Sequence, residues 1–359
     1  MSDGPSVGII GLGYGRAHIP GFQAHGCRVV AVCQRDEGAA RKIAGTYGVP
    51  GVFTRWEELI ERARPEIVVI ATPPHLHKAI ALAAFQAGAH VLCEKPLAMN
   101  AAEGRDMIAA AARARRIAMT GFNWRFTAGM RELHSLVQGG GIGRVFHLSG
   151  RWFGARWADE TAAATWRMDR AQAGFGAMGD MGVHLVDMIR WSFGEFTRVT
   201  AHSGVAYPAR SAPGVSRPAD AEDYCTVLAQ LASGAEVSFT ASRVAHGANE
   251  HALEAYGSTG AVAYKLTREG SSWHAGQLSV AKAGGGFQRL ELRPTPATVE
   301  GDPMEQVGRG TIAPLVATML EGIKSGKTPS PSLEDGLKAQ AVLDAVVEGA
   351  ARGTWVDVR

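Results

Sequence analysis

From Val7 to about Phe122, short runs of apolar residues alternate with segments of helical period. The runs are VGII (7–10), RVVAVC (28–33), EIVVIAT (66–72), HVLCEK (90–95) and IAMTGF (117–122). They are rich in Val and Ile and nearly continuous, which suits strands covered on both faces, as in a parallel sheet. Between them, residues 35–47, 56–64, 77–88 and 101–115 place apolar positions three and four apart, so helices are predicted there. Asn100, with Glu103 three residues later, predicts the start of the last. Strand and helix in alternation predict an open, doubly wound α/β domain.

After about residue 143 the period changes. GRVFHLSGRWFG (143–154) reads as a strand, and MGVHLVDMIRWSFG (181–194) as a helix. Segments 222–234, 235–244, 251–260 and 261–268 then alternate with period two: Val237, Phe239 and Ala241 share one face, and Ser238, Thr240 and Ser242 the other. Ser-Gly and Thr-Gly turns join them, which predicts an antiparallel meander. Residues 206–221, rich in Pro, Ser and Ala, predict an exposed loop, and 284–309 an irregular excursion. Helices over 312–326 and 332–353 and a short strand in TWVDVR close the chain. The expected architecture is a Rossmann domain over residues 1–122 and an α+β domain over 123–359 with a large, mostly antiparallel open sheet. The C-terminal helix is expected to pack back on the first domain.

Composition narrows the class. The 359 residues are 46% hydrophobic and 20% charged, with a formal net charge of +3, as in a globular protein of two domains. Arg113, Arg115 and Arg116 form the one basic cluster and read as a solvated helix face, which argues against nucleic acid as a partner. No apolar run reaches the ~18 residues of a membrane span, so no membrane partner is expected. The start MSDGPSVGII lacks the basic and apolar regions of a signal peptide, and a cytoplasmic location follows as the expectation. The four cysteines, Cys27, Cys33, Cys93 and Cys225, show no C-x-x-C spacing. His75 and His77 have no cysteine or carboxylate partner near them in sequence, and no metal site is expected.

VGIIGLGYGRAHIPGF (7–22) carries the first chemistry. A strand turns into a helix through Gly11, Leu12, Gly13, Tyr14 and Gly15, where glycine permits a sharp turn and close approach of a pyrophosphate. Amides at the helix start then face the phosphate charge. The third glycine comes one residue early and Arg16 takes the sixth place, so Tyr14 is expected along the diphosphate. The second strand ends VCQRD. Gln34 cannot repel a 2′-phosphate and Arg35 could bind one, which tilts the cofactor choice toward NADP over NAD, while Asp36 could still reach a ribose.

Further motifs coincide: ATPPHLH (71–77), CEKPLA (93–98), GFNWRF (121–126), and WRMD followed by GFGAMGDMGVHLVD in the second half. Together they resemble the glucose–fructose oxidoreductase and inositol dehydrogenase family, written Gfo/Idh/MocA. The resemblance implies an NAD(P)-dependent dehydrogenase or reductase of a sugar, inositol or related polyol, assembled as a homodimer or homotetramer through the C-terminal sheet. By position it implies catalytic roles for Lys95, Asp180 and His184. It places Thr72, Pro73, His77 and Glu94 beside the nicotinamide, and gives Asn123 and Arg125 an Asn-x-Arg segment. Trp166 and Arg167 match a pair that approaches cofactor or substrate. The expected substrate contacts are Lys95, Arg125, Trp157, Asp180 and His184.

The residues themselves support this chemistry. Asp180 and His184 are four apart, so on a helix they share a face. An imidazole titrates near neutral pH and can take a hydroxyl proton, while a carboxylate orients it or binds substrate. Asp187 points off that face and reads as a structural partner. Lys95 follows a strand at its carboxyl end, where such sheets bind ligands, and an ammonium there stabilises an alkoxide. Two other functions remain open. One is a hydrolase or lyase that retains NAD and oxidises its sugar transiently. The other is a non-catalytic dinucleotide sensor, which would be expected to lack the lysine and histidine.

Overall fold

A computed structural model describes residues 4–210, 219–269, 275–292 and 302–359. It divides into two compact units. The first is Met1–Phe126 with Thr298–Leu337, and the second is Thr127–Ala297 with Lys338–Arg359.

In the first unit, β1 (Ser6–Ile10), β2 (Arg28–Cys33), β3 (Gly51–Phe53), β4 (Ile67–Ile70), β5 (His90–Cys93) and β6 (Ala118–Thr120) form one sheet in the order β3-β2-β1-β4-β5-β6. Every pairing is parallel. This is the Rossmann strand order, with its switch point at β1 and β4. Val68, Val69, Val91 and Leu92 are fully buried, which accounts for the unbroken apolar runs. Strand β3 has only three residues and escaped its pattern. Asp36 caps the helix Glu37–Tyr47 by accepting from Ala39 N at 3.0 Å. Asn100 does the same for Ala101–Ala114, accepting from Glu103 N at 3.1 Å.

The later part of the chain departs from the expected division at residue 122. Asn123–Phe126 and Thr298–Leu337 cluster with the first unit. Part of the expected irregular excursion is regular: Pro303–Val307 is a helix, followed by a π-helical turn, Gly308–Ile312. Gly308 and Gly21 lack the Cβ atoms that would collide with Ala17 and Ile312, so this segment lies close on the helix after the glycine loop. Beyond it, Thr120 N donates to Pro331 O at 3.1 Å beside the edge strand β6. Residues 293–301 of the excursion lie outside the described residues.

In the second unit, nine strands run β14-β13-β12-β11-β7-β10-β9-β8-β15 among the described residues. They are β7 (Val145–Phe153), β8 (Phe196–Gly204), β9 (Tyr224–Leu231), β10 (Glu236–Ser242), β11 (Glu250–Gly257), β12 (Gly260–Thr267), β13 (Gln277–Lys282), β14 (Gln288–Arg289) and β15 (Val356–Asp357). The sheet is not a simple meander. Strand β7 inserts between β10 and β11 and runs parallel to β10, because a helix-bearing connection separates it from β8. Strands β8 and β13 and the helix Ala128–Gln138 add to the predicted elements.

One face of this sheet is buried, carrying Trp152, Val237, Ala241 and His251. The other face is open along β9 at Tyr224, Thr226 and Leu228. The described ends of the expected loop 206–221 are partly buried. Arg210 is 5% exposed and its guanidinium donates to the carbonyls of Trp157 and Asp159. Residues 211–218 of that loop lie outside the described residues.

Candidate active site

The glycine loop sits at the carboxyl ends of β1 and β4. Its three glycines serve three purposes. Gly11 has φ +92°, and a Cβ there would strike the Ala71 carbonyl. At Gly15 a Cβ would lie 2.9 Å from Ala71 Cβ, so this glycine lets the loop's helix close on β4. Gly13 is different: no heavy atom of the described residues lies within 4 Å of its Cβ position. Packing does not demand a glycine there, whereas a pyrophosphate brought against the backbone would. The buried Oγ1 of Thr72, just after β4, has no hydrogen-bond partner among the described residues. An open glycine and an unsatisfied hydroxyl fit a dinucleotide's phosphates and ribose. Leu12 contributes backbone only, since its side chain is core at 2% exposure. Tyr14 is half-buried, with its ring edge-on to His18 at 6.3 Å.

Several residues expected to line the cofactor make framework contacts. Glu94 is buried, and His18 Nε2 donates to its Oε1 at 2.8 Å. The carboxylate also lies on Gly121, where any side chain would collide with it. His77 is fully buried, with Nε2 2.9 Å from Thr72 O and Nδ1 3.1 Å from Pro96 O. Burial lowers its pKa. The ring lies between the segment after β4 and the one after β5, and the one N–H of the neutral imidazole donates to a carbonyl of one of them. Lys95 is half-buried between these two anchored neighbours, Glu94 and Pro96. Asn123 Nδ2 donates to Thr311 Oγ1 at 2.7 Å. Arg125, expected on substrate, is 3% exposed and donates to Ser330 Oγ at 2.7 Å and to Asp335 Oδ1 at 3.3 Å. A guanidinium so enclosed is satisfied by its own unit. At the end of β2, Arg35 is exposed, and Asp36 uses its side chain as a helix cap.

In the second unit, the glycine-rich entry to the Asp180–His184 segment is explained by contacts. Gly176 lies against the Glu222 backbone, Gly179 on Phe175, and Gly182 on Met178 and Ala241. Glu222 Oε1 accepts from the amides of Gly176 and Met178 at 2.8 and 3.1 Å. Asp180 falls on a π-helical turn, Met178–Gly182, and His184 on the α-helix that continues it, Val183–Phe193. Such turns re-aim side chains and occur often at functional sites.

Asp180 Oδ1 lies 3.6 Å from Arg167 Nε, and the Arg167 guanidinium stands 4.4 Å over the Trp166 ring. Trp166, Arg167 and Asp180 are thus brought together. His184 is buried and stacks on Trp152 at 5.1 Å. Asp187 is buried at 1% exposure. Trp157, expected on substrate, is 6% exposed and packs with Ala164, Met168 and Ala219, so its ring is core.

The pattern along the chain missed His18 and the Trp152 surroundings. For His18 a signal existed: one imidazole on a helix otherwise apolar at Ile19 and Phe22. For Trp152 none did, because its partners His184, His251 and Arg268 stand far along the chain on other elements. Among the described residues no group of three metal-ligating side chains occurs, and no helix is long and apolar enough to cross a membrane.

Residues 6–122 match the model of the oxidoreductase family with an NAD-binding Rossmann fold, and residues 130–263 match the GFO/IDH/MocA C-terminal domain. Levoglucosan dehydrogenase of Pseudarthrobacter phenanthrenivorans is 31% identical over 389 residues, covering 98% of this chain and 98% of that one. The chain belongs to the Gfo/Idh/MocA family. It is an oxidoreductase with an NAD-binding Rossmann domain. Two solved structures of similar architecture agree. An oxidoreductase domain protein from Kribbella flavida has a TM-score of 0.89 at 30% identity, covering 100% of both chains. A levoglucosan dehydrogenase in complex with NADH and levoglucosan has a TM-score of 0.88 at 30% identity, covering 99% of both.

Proposed function

We propose that this member of the family oxidises a secondary hydroxyl, or reduces the matching ketone, on a sugar, anhydrosugar or cyclic polyol. The observation that carries the reading is the intact set of Lys95, Asp180 and His184, each on a segment anchored by buried contacts. Bound NAD supplies the hydride chemistry at the carbinol carbon. His184 takes the hydroxyl proton, Lys95 stabilises the developing alkoxide, and Asp180 holds a substrate hydroxyl beside Arg167. In reduction the same groups return the proton. The levoglucosan complex of the similar structure supports a compact sugar as substrate.

The test is a screen of levoglucosan, myo-inositol and common aldoses with NAD and NADP, read at the nicotinamide absorbance. Turnover of none of them, with nucleotide retained on the purified protein, would favour the transient-oxidation hydrolase instead. For the cofactor, exposed Arg35 and the capping role of Asp36 support NADP. Arg35→Ala then weakens NADP binding about tenfold more than NAD binding. Equal weakening removes the preference. The open face of the second sheet, with Tyr224 and Leu228 exposed, supports assembly of like subunits through it. The four buried free cysteines suit a reducing compartment such as the cytoplasm.

A further inference from the structure

The buried face of the second sheet carries a polar assembly unlike its apolar surroundings. Trp152 on β7 stacks on His184 at 5.1 Å and 21°, and on His251 at 4.0 Å and 13°. His251 is directly opposite Trp152 across the β7–β11 pair. The Arg268 guanidinium stands 5.1 Å over the Trp152 ring. Its NH1 lies 3.1 Å from His251 Nδ1.

That contact fixes the protons. An arginine can only donate, so His251 Nδ1 accepts and the ring hydrogen is on Nε2. Nε2 donates to Tyr264 Oη at 3.1 Å, leaving the phenol hydrogen for Thr127 Oγ1 at 3.0 Å. Arg268 is held in turn by Asn249 Oδ1 at 3.0 Å and Phe153 O at 2.7 Å. His251, Tyr264 and Thr127 are each at most 1% exposed.

Filling space does not call for this set. A leucine or phenylalanine would pack there without the cost of desolvating a guanidinium, an imidazole and a phenol. What a directional network adds is orientation: each hydrogen bond fixes one ring, and the stack passes that plane to the next. His184 lies at the end of the series. Its helix sets the Cβ position, and the stack on Trp152 bears on the last torsion of the imidazole, which is broad for histidine.

We propose that Trp152, locked by His251 and Arg268, is a positioning residue that fixes the ring plane of His184 for proton transfer. The proposal rests on the catalytic role given to His184 above. It assigns Trp152, His251 and Arg268 to the reaction through His184, not through contact with substrate.

The test uses the full chain saturated with NAD and labelled at histidine Cε1. The His184 resonance is identified by its loss in His184→Asn. Shielding by the indole face holds it upfield. Trp152→Leu moves it downfield and lowers kcat on levoglucosan or myo-inositol about tenfold or more, with the Kd for NAD unchanged. Trp152→Phe keeps a ring and retains most of both. His251→Gln can still accept from Arg268 and donate to Tyr264, so it retains both, whereas His251→Leu moves the resonance as Trp152→Leu does. The two conservative variants keep the test valid if a leucine variant fails to fold.

A His184 resonance unmoved in Trp152→Leu and in His251→Leu overturns the proposal. So does an unchanged kcat in either folded leucine variant. Full turnover by His184→Asn is a different failure: it removes the role of His184 itself and the positioning proposal with it, while the indole's effect on the resonance persists.

Discussion

The end of β5 and the buried face of the second sheet hold Lys95 and His184, the two side chains proposed to handle protons, by different means. Beside Lys95, the work is done by hydrogen bonds, one between two side chains and others to backbone carbonyls. His18 fixes Glu94, and His77 fixes Pro96 through its carbonyl. Beside His184, the work is done by close packing and ring stacking. Glycines let the helix settle on Glu222 and Ala241, and Trp152 sets a plane. An ammonium needs only to be delivered to a place, because its three N–H groups rotate. An imidazole has one donor and one acceptor in a fixed plane, so it must be oriented as well.

The sharpest test of that contrast is kinetic. Lys95→Ala is expected to lower kcat a hundredfold or more, a loss of ~2.7 kcal/mol in transition-state stabilisation, with NAD binding largely kept. Lys95→Arg, which keeps a charge at that place, recovers part of it. Unaltered turnover in Lys95→Ala would end the assignment. Next in size is the anchor behind it. His18→Leu deprives a buried carboxylate of its imidazole partner and should cost about 2–3 kcal/mol of folding stability by urea titration. A variant as stable as the parent would show that the His18–Glu94 anchor is not needed.

The glycine loop gives a paired test. Gly15→Ala forces a methyl group against Ala71 and should cost about 1–3 kcal/mol. Gly13→Ala meets open space, so stability holds while NAD binding weakens. Equal loss of stability in both would contradict the separate roles.

The same buried groups set a pH dependence. Burial holds the pKa values of His77 and His251 below 6.5, with Arg268 lowering His251 further. Below about pH 6.5 the unfolded chain takes up protons that the folded chain refuses, so stability falls as pH falls. Each group contributes a slope of ~1.4 kcal/mol per pH unit down to its folded pKa. Thermal melts between pH 7 and pH 5 should show this decline, and His251→Gln should make it shallower. An identical profile in His251→Gln would mean that His251 is not held neutral.

The sequence by itself determined the alternation of strands and helices in the first unit, because each element depends on residues a few places apart. It determined the glycine turn after β1, the cap at Asn100, and the close helical spacing of Asp180 and His184, all local in the same sense. Tertiary structure decided which partners the candidate site residues meet. Glu94, His77 and Arg125 are expected ligand contacts along the chain, and folding brings each a framework partner from farther along it: His18, the carbonyl of Pro96, and Asp335. It also decided that Thr298–Leu337 belongs with the first unit, and that Trp152 meets His251 across two strands. The reason is physical. Local patterns are set by backbone geometry over a few residues, whereas the satisfaction of a buried polar group depends on whatever part of the chain returns to cover it.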